Sequence, residues 1–169
     1  MTIQIPVTKE ATDLCSTWLE NHSMAKRGVF DGDKEKQFTG LLGESIFHHY
    51  VFGEYPKFVA GFDSGFDIIF KNNRIDVKTM RRNVFVRDYF VNNFTALQLN
   101  LKCDVLMFLS YNKKEQVMEI CGWIYKSDLD TKSNLFKAGT ERKRSDGTSF
   151  IIQQDTYEIS NTNLNPFRK

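Results

Sequence analysis

Apolar and polar residues repeat along this chain with two periods, and the change of period separates helices from strands. Residues 8–22 carry apolar side chains at helical spacing and predict a short amphipathic helix. A second helix is predicted from about 34 to 52, ending near Gly53, and is nearly apolar all round, as is typical of a helix packed deep against a sheet. Gly40 and Gly43 inside it each cost about 1 kcal/mol relative to alanine, so we expect them to permit close approach of a neighbouring backbone.

The predicted strands lie mostly in the middle of the chain. A turn-rich passage holds a short strand at 57–60, and β-rich runs at 67–70 and 74–80 predict a hairpin. The continuous apolar run at 105–111 is typical of a central strand covered on both sides, and a further strand follows at 117–125. The remaining expectations are a continuation of the second hairpin strand at 84–87, a helix at 94–101 capped by Asn92 or Asn93, a loop at 137–147, a short strand at 150–153 and an irregular tail at 161–169.

The length and composition suit an ordinary globular fold. A chain of 169 residues, 41% hydrophobic and 26% charged, is large enough for one domain with its own core. The element order predicts a mixed α/β domain over residues 1–169, with a core at about 34–125 and a C-terminal elaboration at about 126–169. A net charge of +2 permits a nucleic-acid partner without identifying one.

Cysteine usage and the N-terminus indicate the compartment. Cys15, Cys103 and Cys121 are far apart, odd in number and without zinc-ligand spacing, which argues against a disulfide-rich secreted domain. The N-terminus has no signal pattern, and no apolar run approaches the ~20 residues of a membrane span. We therefore expect a soluble cytoplasmic protein with reduced thiols and no membrane association.

The predicted hairpin concentrates charge. Asparagine tolerates the positive φ of a two-residue turn, so the turn is predicted at Asn72 and Asn73. In that register Asp67 lies opposite Lys78 and diagonal to Asp76, roughly 7–8 Å away, and the three side chains share one face. Because unpaired charge is costly to bury, a divalent cation between the carboxylates with the lysine beside them is the simplest account.

Two further acids are candidates for the same site. Glu44 stands alone in the apolar second helix, and by itself it suits a partly exposed position on the helix shoulder. Asp63 competes with Asp67 as the first hairpin acid. Asp67 is favoured because it opens the strand in register with Asp76, whereas Asp63 lies in a glycine-rich approach. An isolated Asp-x-Lys on a strand is common by chance, so the combination carries the argument.

A helix with an inward Glu, then a hairpin with Asp on one strand and Asp-x-Lys on the next, resembles the PD-(D/E)XK nuclease superfamily. The resemblance covers about residues 34–111, with Phe66 where the name-giving Pro would stand and Asp76 where Glu is commoner. It implies a restriction-endonuclease-like core, in which helices flank a central mixed β-sheet, and metal-dependent hydrolysis of DNA.

The resemblance also implies a role for each site residue. Asp67 and Asp76 would bind the metal together with the Val77 carbonyl, and Glu44 would complete or support the site. Lys78 would orient or deprotonate the attacking water and stabilise the phosphate, and as a base it needs a lowered pKa. Hard carboxylate oxygens suit Mg²⁺, with Mn²⁺ as a substitute.

Basic and hydroxyl side chains on the site strand and in a later loop are the expected DNA contacts. They are Thr79, Arg81, Arg82, Arg142, Lys143 and Arg144. For Arg142, Lys143 and Arg144, a solvated basic face is an equally good account.

The predicted function is a Mg²⁺-dependent endonuclease that cuts double-stranded DNA. A site-specific enzyme of the restriction or homing type is favoured over a structure-specific enzyme of the junction-resolving or repair type. A non-catalytic nucleic-acid-binding module and a plain interaction protein with an internal salt-bridge cluster are the alternatives. Because two DNA strands usually need two sites, a homodimer is expected.

Overall fold

The computed structural model describes residues 2–22, 33–58, 65–143 and 147–169. In chain order its helices and strands are β1 (Ile3–Pro6), α1 (Lys9–Asn21), α2 (Lys34–Phe52), β2 (Ile68–Phe70), β3 (Asn73–Arg82), β4 (Val91–Thr95), β5 (Val105–Asn112), β6 (Val117–Tyr125), α3 (Leu129–Lys132), β7 (Asn134–Phe136), β8 (Glu141–Lys143), β9 (Ser149–Ile151) and β10 (Thr156–Ser160). Short 3₁₀ turns lie at Ala96–Gln98, Lys126–Asp128 and Asn161–Asn163.

Both long helices are confirmed, and local capping explains their bounds. The Thr8 hydroxyl accepts a backbone N–H of the first turn of α1 at 3.2 Å. The Asp33 carboxylate does the same for α2 at 2.9 Å. Gly53 ends α2 with a φ of 81°, and its amide donates to the His49 carbonyl. These contacts satisfy backbone groups that have no partner inside a helix.

The main sheet has the strand order β1-β6-β5-β3-β2. β3 and β5 are parallel, and the other neighbours are antiparallel, so the sheet is mixed as predicted. Every residue of β5 is buried, which confirms it as a central strand covered on both faces. The protein is therefore an α/β fold around this sheet.

A hydrophobic core lies on each face of the main sheet. On one face, Leu42 and Phe47 of α2 pack with Val77 of β3, and α1 joins the same cluster. On the other face, Phe108 of β5 packs with Phe94 of β4. β4 belongs to a second, antiparallel sheet of order β4-β10-β7, while β8 and β9 pair only with each other in the described chain. No described helix is long and apolar enough to span a bilayer.

The helix predicted at 94–101 is wrong. Phe94 and Thr95 instead complete β4, in which Phe94 lies opposite Tyr157 of β10, and only Ala96–Gln98 form a short 3₁₀ turn. Asn92, predicted as a helix cap, is buried and donates from Nδ2 to Asn161 Oδ1 at 2.7 Å. A strand partner more than sixty residues away in sequence therefore overrides the local helical pattern.

Three smaller predictions also change. Residues 84–87 do not continue β3, because the Val86 amide donates to the carboxylate of Glu119 instead of to a strand neighbour. Part of the loop predicted at 137–147 forms β8, which pairs with β9. Residues 57 and 58 of the strand predicted at 57–60 are not in a strand, and 59–60 lie outside the described residues. The short strand expected near 150 is confirmed as β9.

Candidate functional site

β2 and β3 form the predicted hairpin, but its turn lies one residue earlier than predicted. Phe70 pairs with Asn73, and the turn residues Lys71 and Asn72 have positive φ values of 49° and 62°. A two-residue turn of this kind needs positive φ at both positions. Asn73, predicted to lie in the turn, follows it and donates from its side-chain amide to the Lys71 carbonyl at 3.0 Å. The prediction failed because lysine is not a residue whose presence indicates positive φ.

The shift of the turn changes the position of Asp67. Ile68 pairs with Ile75, and Asp67 lies just before this ladder begins. The Asp67 amide donates to the Ile75 carbonyl at 2.9 Å, and its Oδ2 accepts the Val77 amide proton at 2.6 Å. The predicted pairing of Asp67 with Lys78 is therefore wrong.

The Asp67 carboxylate occupies the edge of the main sheet. Backbone amides of a strand point in the plane of the sheet, so a group that accepts from Val77 lies beside β3 and not above it. The expectation that Asp67 shares a face with Asp76 and Lys78 is corrected accordingly. Because β2 pairs with β3 only over Asn73–Ile75, the carboxylate satisfies an amide that a longer β2 would have bonded.

Asp76 and Lys78 do share one face of β3. Lys78 Nζ lies 2.8 Å from Asp76 Oδ2. Their neighbours on β5 are Leu106 and Phe108, so they face the core beneath the second sheet. Asp76 is only 5% exposed, whereas a quarter of the Lys78 side chain (25%) is accessible. The pair thus has a buried acid and a partly exposed lysine.

The carboxylates of the site act on one another. Burial raises the pKa of Asp67 well above its usual range, and the negative charges of Asp76 and then Glu44 raise it further. The Val77 amide and the Lys78 ammonium lower it by less. The charges of both Asp76 and Glu44 therefore act on Asp67. Two neighbouring acids that oppose ionisation of a third are an arrangement that a bound cation would stabilise.

The position of Glu44 depends on the adjacent glycine. Gly43 of α2 lies directly against Thr79 of β3, and a Cβ at this position would overlap the Thr79 hydroxyl oxygen. The close approach predicted for the α2 glycines is thereby confirmed at Gly43. At Gly40 it is wrong, because an added Cβ would meet open space. Glu44 is half-buried beside this contact.

The residues present suit a hard divalent cation by their chemistry. Asp67, Asp76 and the Val77 carbonyl supply oxygen ligands, the type that Mg²⁺ prefers. A carboxylate accepts about four hydrogen bonds, so the contacts of Asp67 with Val77 and of Asp76 with Lys78 do not exhaust them. In the described part of the chain, no three His, Cys, Asp or Glu side chains already form a metal-binding group. Cation binding would therefore require local adjustment of these side chains.

Two predicted DNA contacts are occupied within the fold. The Thr79 hydroxyl is buried against Gly43. Arg82 donates to the Val91 carbonyl at 2.8 Å, and its guanidinium lies 4.8 Å from the centre of the Phe90 ring. Arg82 thus has a structural role and the Thr79 hydroxyl is buried, while a contact of either residue with DNA stays a prediction.

The other predicted DNA contacts differ in their exposure and in their partners within the fold. Arg81 pairs with Glu35 but is exposed. Arg142 donates to Glu158 Oε1 at 2.7 Å and packs over the Phe136 ring, so it too has a structural role. Lys143 is exposed on β8. Arg144 and the alternative acid Asp63 lie outside the described residues.

Glu119 is a buried acid that sequence reasoning missed. It is 1% exposed, and its carboxylate accepts from the Gln4 side chain at 3.2 Å and from the Val86 amide at 2.8 Å. The available signal was a lone acid at an otherwise apolar stretch of β6. Its contacts show that it fixes the segment that follows β3.

A cavity of about 310 Å³ opens near the hairpin turn, with Phe70, Trp123 and Phe167 among its lining residues. Asp67, Asp76 and Lys78 do not line it. It is thus separate from the candidate site.

No protein-family model, curated protein or solved structure matches this chain. The assignment of the candidate site therefore rests on the geometry of its residues alone.

Proposed function

We propose that this protein is a metal-dependent endonuclease of the PD-(D/E)XK type that cuts double-stranded DNA. The observation that carries the proposal is the convergence of Asp67 with Asp76 and Lys78 at the point where β2 leaves β3. The half-buried Glu44 of α2 adds a further negative charge to Asp67. A mixed sheet with α2 packed on it is also compatible with a restriction-endonuclease-like core.

The acids would hold the cation. Asp67 and Asp76, with the Val77 carbonyl, are the proposed ligands of Mg²⁺, and Mn²⁺ would substitute. Glu44 supports the site through its charge. A bound divalent cation would stabilise the negative charge that develops on the phosphate and lower the pKa of the attacking water.

Lys78 would contact the substrate. An ammonium has three donors, so Lys78 can keep its contact with Asp76 and still donate to a phosphate oxygen or to the attacking water. With 25% of its side chain exposed, Lys78 is partly accessible from outside. Asp76 then positions Lys78 in addition to binding the metal.

The test is a cleavage assay on supercoiled plasmid with Mg²⁺ or Mn²⁺. We expect Lys78→Ala and Asp76→Asn to lower the cleavage rate by about 10²-fold or more, since each removes a group acting at the reacting phosphate. Lys9→Ala and Asp13→Asn are matched controls, because this ion pair is exposed on α1. Circular dichroism would establish that all variants fold. Wild-type rates for both site variants would overturn the proposal.

Within this class we propose a site-specific enzyme. A discrete band pattern on plasmid would support it. Selective cleavage of junction or flap substrates would instead identify a structure-specific nuclease.

The 2.8 Å contact between Asp76 and Lys78 also favours a second candidate, a non-catalytic nucleic-acid-binding protein in which the pair is an internal salt bridge. Calorimetric titration separates the two. Binding of Mn²⁺ that Asp67→Asn weakens would support the nuclease, whereas DNA binding without any cation binding at millimolar Mn²⁺ would support the second candidate.

A further inference from the structure

The chain leaves β3 through residues 83–90, which we call the exit loop. It directly follows the strand that carries Asp76 and Lys78. Three of its apolar side chains point into solvent: Val84 is 53%, Phe85 44% and Tyr89 67% exposed. Exposed single apolar residues are ordinary, but three within six positions concentrate apolar surface on one loop, which is a feature of binding surfaces.

The exit loop is anchored from below. The Val86 amide donates at 2.8 Å to the buried Glu119 carboxylate. Asn161 donates from its side chain to the Arg87 carbonyl and from its backbone to the Phe90 carbonyl, both at 2.9 Å. The Phe90 amide in turn donates to the Arg87 carbonyl at 3.0 Å. The exposed residues are therefore presented by a fixed backbone, which lowers the entropy lost when they bind a partner.

Burial of Glu119 strengthens this argument. An acid buried next to apolar strands is costly unless it makes hydrogen bonds. One of its oxygens is used to hold the loop amide of Val86. Phe90, at the end of the loop, packs beneath the Arg82 guanidinium. The Glu119 carboxylate and the Arg82 guanidinium thus both help to hold this loop in one position.

The loop carries a cation beside its most exposed ring. Arg87 is exposed, and its guanidinium donates to the Tyr89 hydroxyl at 3.4 Å. Lys113 and Lys114 lie close to the start of the loop, because the Lys113 amide donates to the Arg82 carbonyl. Acidic Asp88 is also exposed here. Aromatic rings with interspersed cations suit a ligand that has flat apolar faces and a negatively charged backbone.

From these observations we infer that the exit loop contacts the bases of the DNA and so positions the duplex on the proposed nuclease site. The inference rests on the proposed function, since the substrate at Lys78 is taken to be DNA. Apolar side chains insert between base steps in many DNA complexes, and aromatic rings stack on unpaired bases. Val84, Phe85 and Tyr89 are the residues assigned to these contacts.

The strand geometry gives the position of the contact. Arg82 follows Lys78 by four residues, which is about 13 Å along a β-strand. DNA rises about 3.4 Å per base, so for a duplex that runs along β3 the loop would meet it about four base steps from the scissile phosphate. Base identity and stacking at that position should therefore affect cleavage.

The experiment compares Phe85→Ala and Tyr89→Ala with wild type on a short fluorescent duplex that contains one mapped plasmid cut site. We expect each variant to bind the duplex roughly 5- to 150-fold more weakly by anisotropy in EDTA, the range found when a stacking aromatic is removed. Leu135→Ala, an exposed apolar residue on β7, is the matched control and should bind as wild type does.

A second measurement excludes an indirect effect. Abasic nucleotides are placed one at a time within six positions of the cut. In wild type, an abasic site about four steps away should lower kcat/KM, and in Tyr89→Ala or Phe85→Ala the same change should have no further effect. Folded variants that bind and cut like wild type, or abasic effects that persist unchanged in them, would overturn the inference.

The two proposals fail in different ways. If wild type binds duplex DNA but cuts neither that duplex nor plasmid, and the loop variants bind weakly, the nuclease proposal fails while the DNA contact assigned to the loop stands. Cleavage that is indifferent to the loop variants overturns only the inference. Loop variants that lower the oligomeric mass without affecting DNA binding would identify an interface between copies of the chain and would also overturn it.

Discussion

The charged residues of the hairpin differ in solvent exposure. Asp76 is buried and in contact with Lys78 at 2.8 Å. Asp67 is half-buried at the sheet edge, where it accepts the Val77 amide proton. Lys78 is also partly exposed, with 25% of its side chain accessible. In the proposed nuclease, the acids would hold the cation and the partly exposed lysine would contact the substrate.

Ionised Asp67 should destabilise the metal-free protein. Its pKa is raised in the folded state, first by burial and then by Asp76 and Glu44, so the folded protein binds this proton more tightly than the unfolded chain does. The stability that protonated Asp67 contributes is fully present below about pH 4, its unfolded pKa. It is lost as the pH rises through the higher pKa of the folded state. Asp67→Asn keeps an acceptor for the Val77 amide. In EDTA at pH 7 we expect it to melt at a higher temperature than wild type.

A thermal unfolding series in EDTA from pH 4 to pH 8 checks this. The advantage of Asp67→Asn should shrink towards pH 4, where both proteins are neutral at this position. Asp13→Asn, which alters an exposed acid on α1, should show no such trend. A variant that melts at or below the wild-type temperature at pH 7 would contradict the expectation.

At the scale of elements, α2 packs tightly on β3 at Gly43. Gly43 lets the helix touch Thr79, and the next residue of the helix is Glu44. This contact brings the Glu44 charge near enough to Asp67 to raise its pKa. Movement of α2 away from the sheet would therefore change both packing and the electrostatics of the site.

Gly43→Ala should destabilise the protein by about 1–3 kcal/mol, because the new methyl group overlaps the Thr79 hydroxyl and forces a shift of packed elements. Gly40→Ala is the matched control. Its methyl group meets open space, so it should stabilise the helix by about 0.5–1 kcal/mol. Urea unfolding measures both. The double variant Gly43→Ala with Thr79→Ala should recover part of the loss, and equal effects of the two glycine substitutions would refute this account.

At the scale of the whole molecule, the main sheet is covered by helices on one face and by a second sheet on the other. The candidate site lies at the border of the sheet, next to the first residue of β2, where β3 continues beyond its pairing with β2. One such site lies in the described part of each chain. An enzyme that cuts both DNA strands therefore needs two chains or two binding events.

We expect a symmetric dimer on DNA. Light scattering at the concentrations used for cleavage should give the mass of two chains, with two-fold symmetry placing one site on each DNA strand. Conversion of plasmid directly to linear product should accompany it. The mass of one chain under conditions where both strands are cut together would count against the dimer.

Elements whose signals are local were predictable from the sequence. Helical periodicity and the Gly53 cap give α2 its bounds, and a continuous apolar run identifies β5. The hairpin is also predictable, as are the three residue types at the candidate site. The turn at Lys71 and Asn72 is not, because lysine rarely adopts positive φ and the register is decided by neighbouring strands.

The DNA contacts predicted by residue type illustrate the same limit. Arginine at position 82 and threonine at position 79 have the chemistry to bind phosphate, yet one contacts the Val91 carbonyl and the other lies beneath Gly43. Sequence shows which groups are available but not which of them the fold already uses. The buried Glu119 that anchors the exit loop was missed for the same reason.

By itself, the sequence determined the two long helices, the central strand and the presence of two acids and a lysine around one hairpin, since each depends on residues close together in the chain. The tertiary structure alone decided that residues 91–95 are a strand paired with β10 and that Asp67 lies at the sheet edge. It also decided that Val84, Phe85 and Tyr89 are exposed on an anchored loop. These features depend on contacts between segments distant in sequence, whose energies outweigh local propensity.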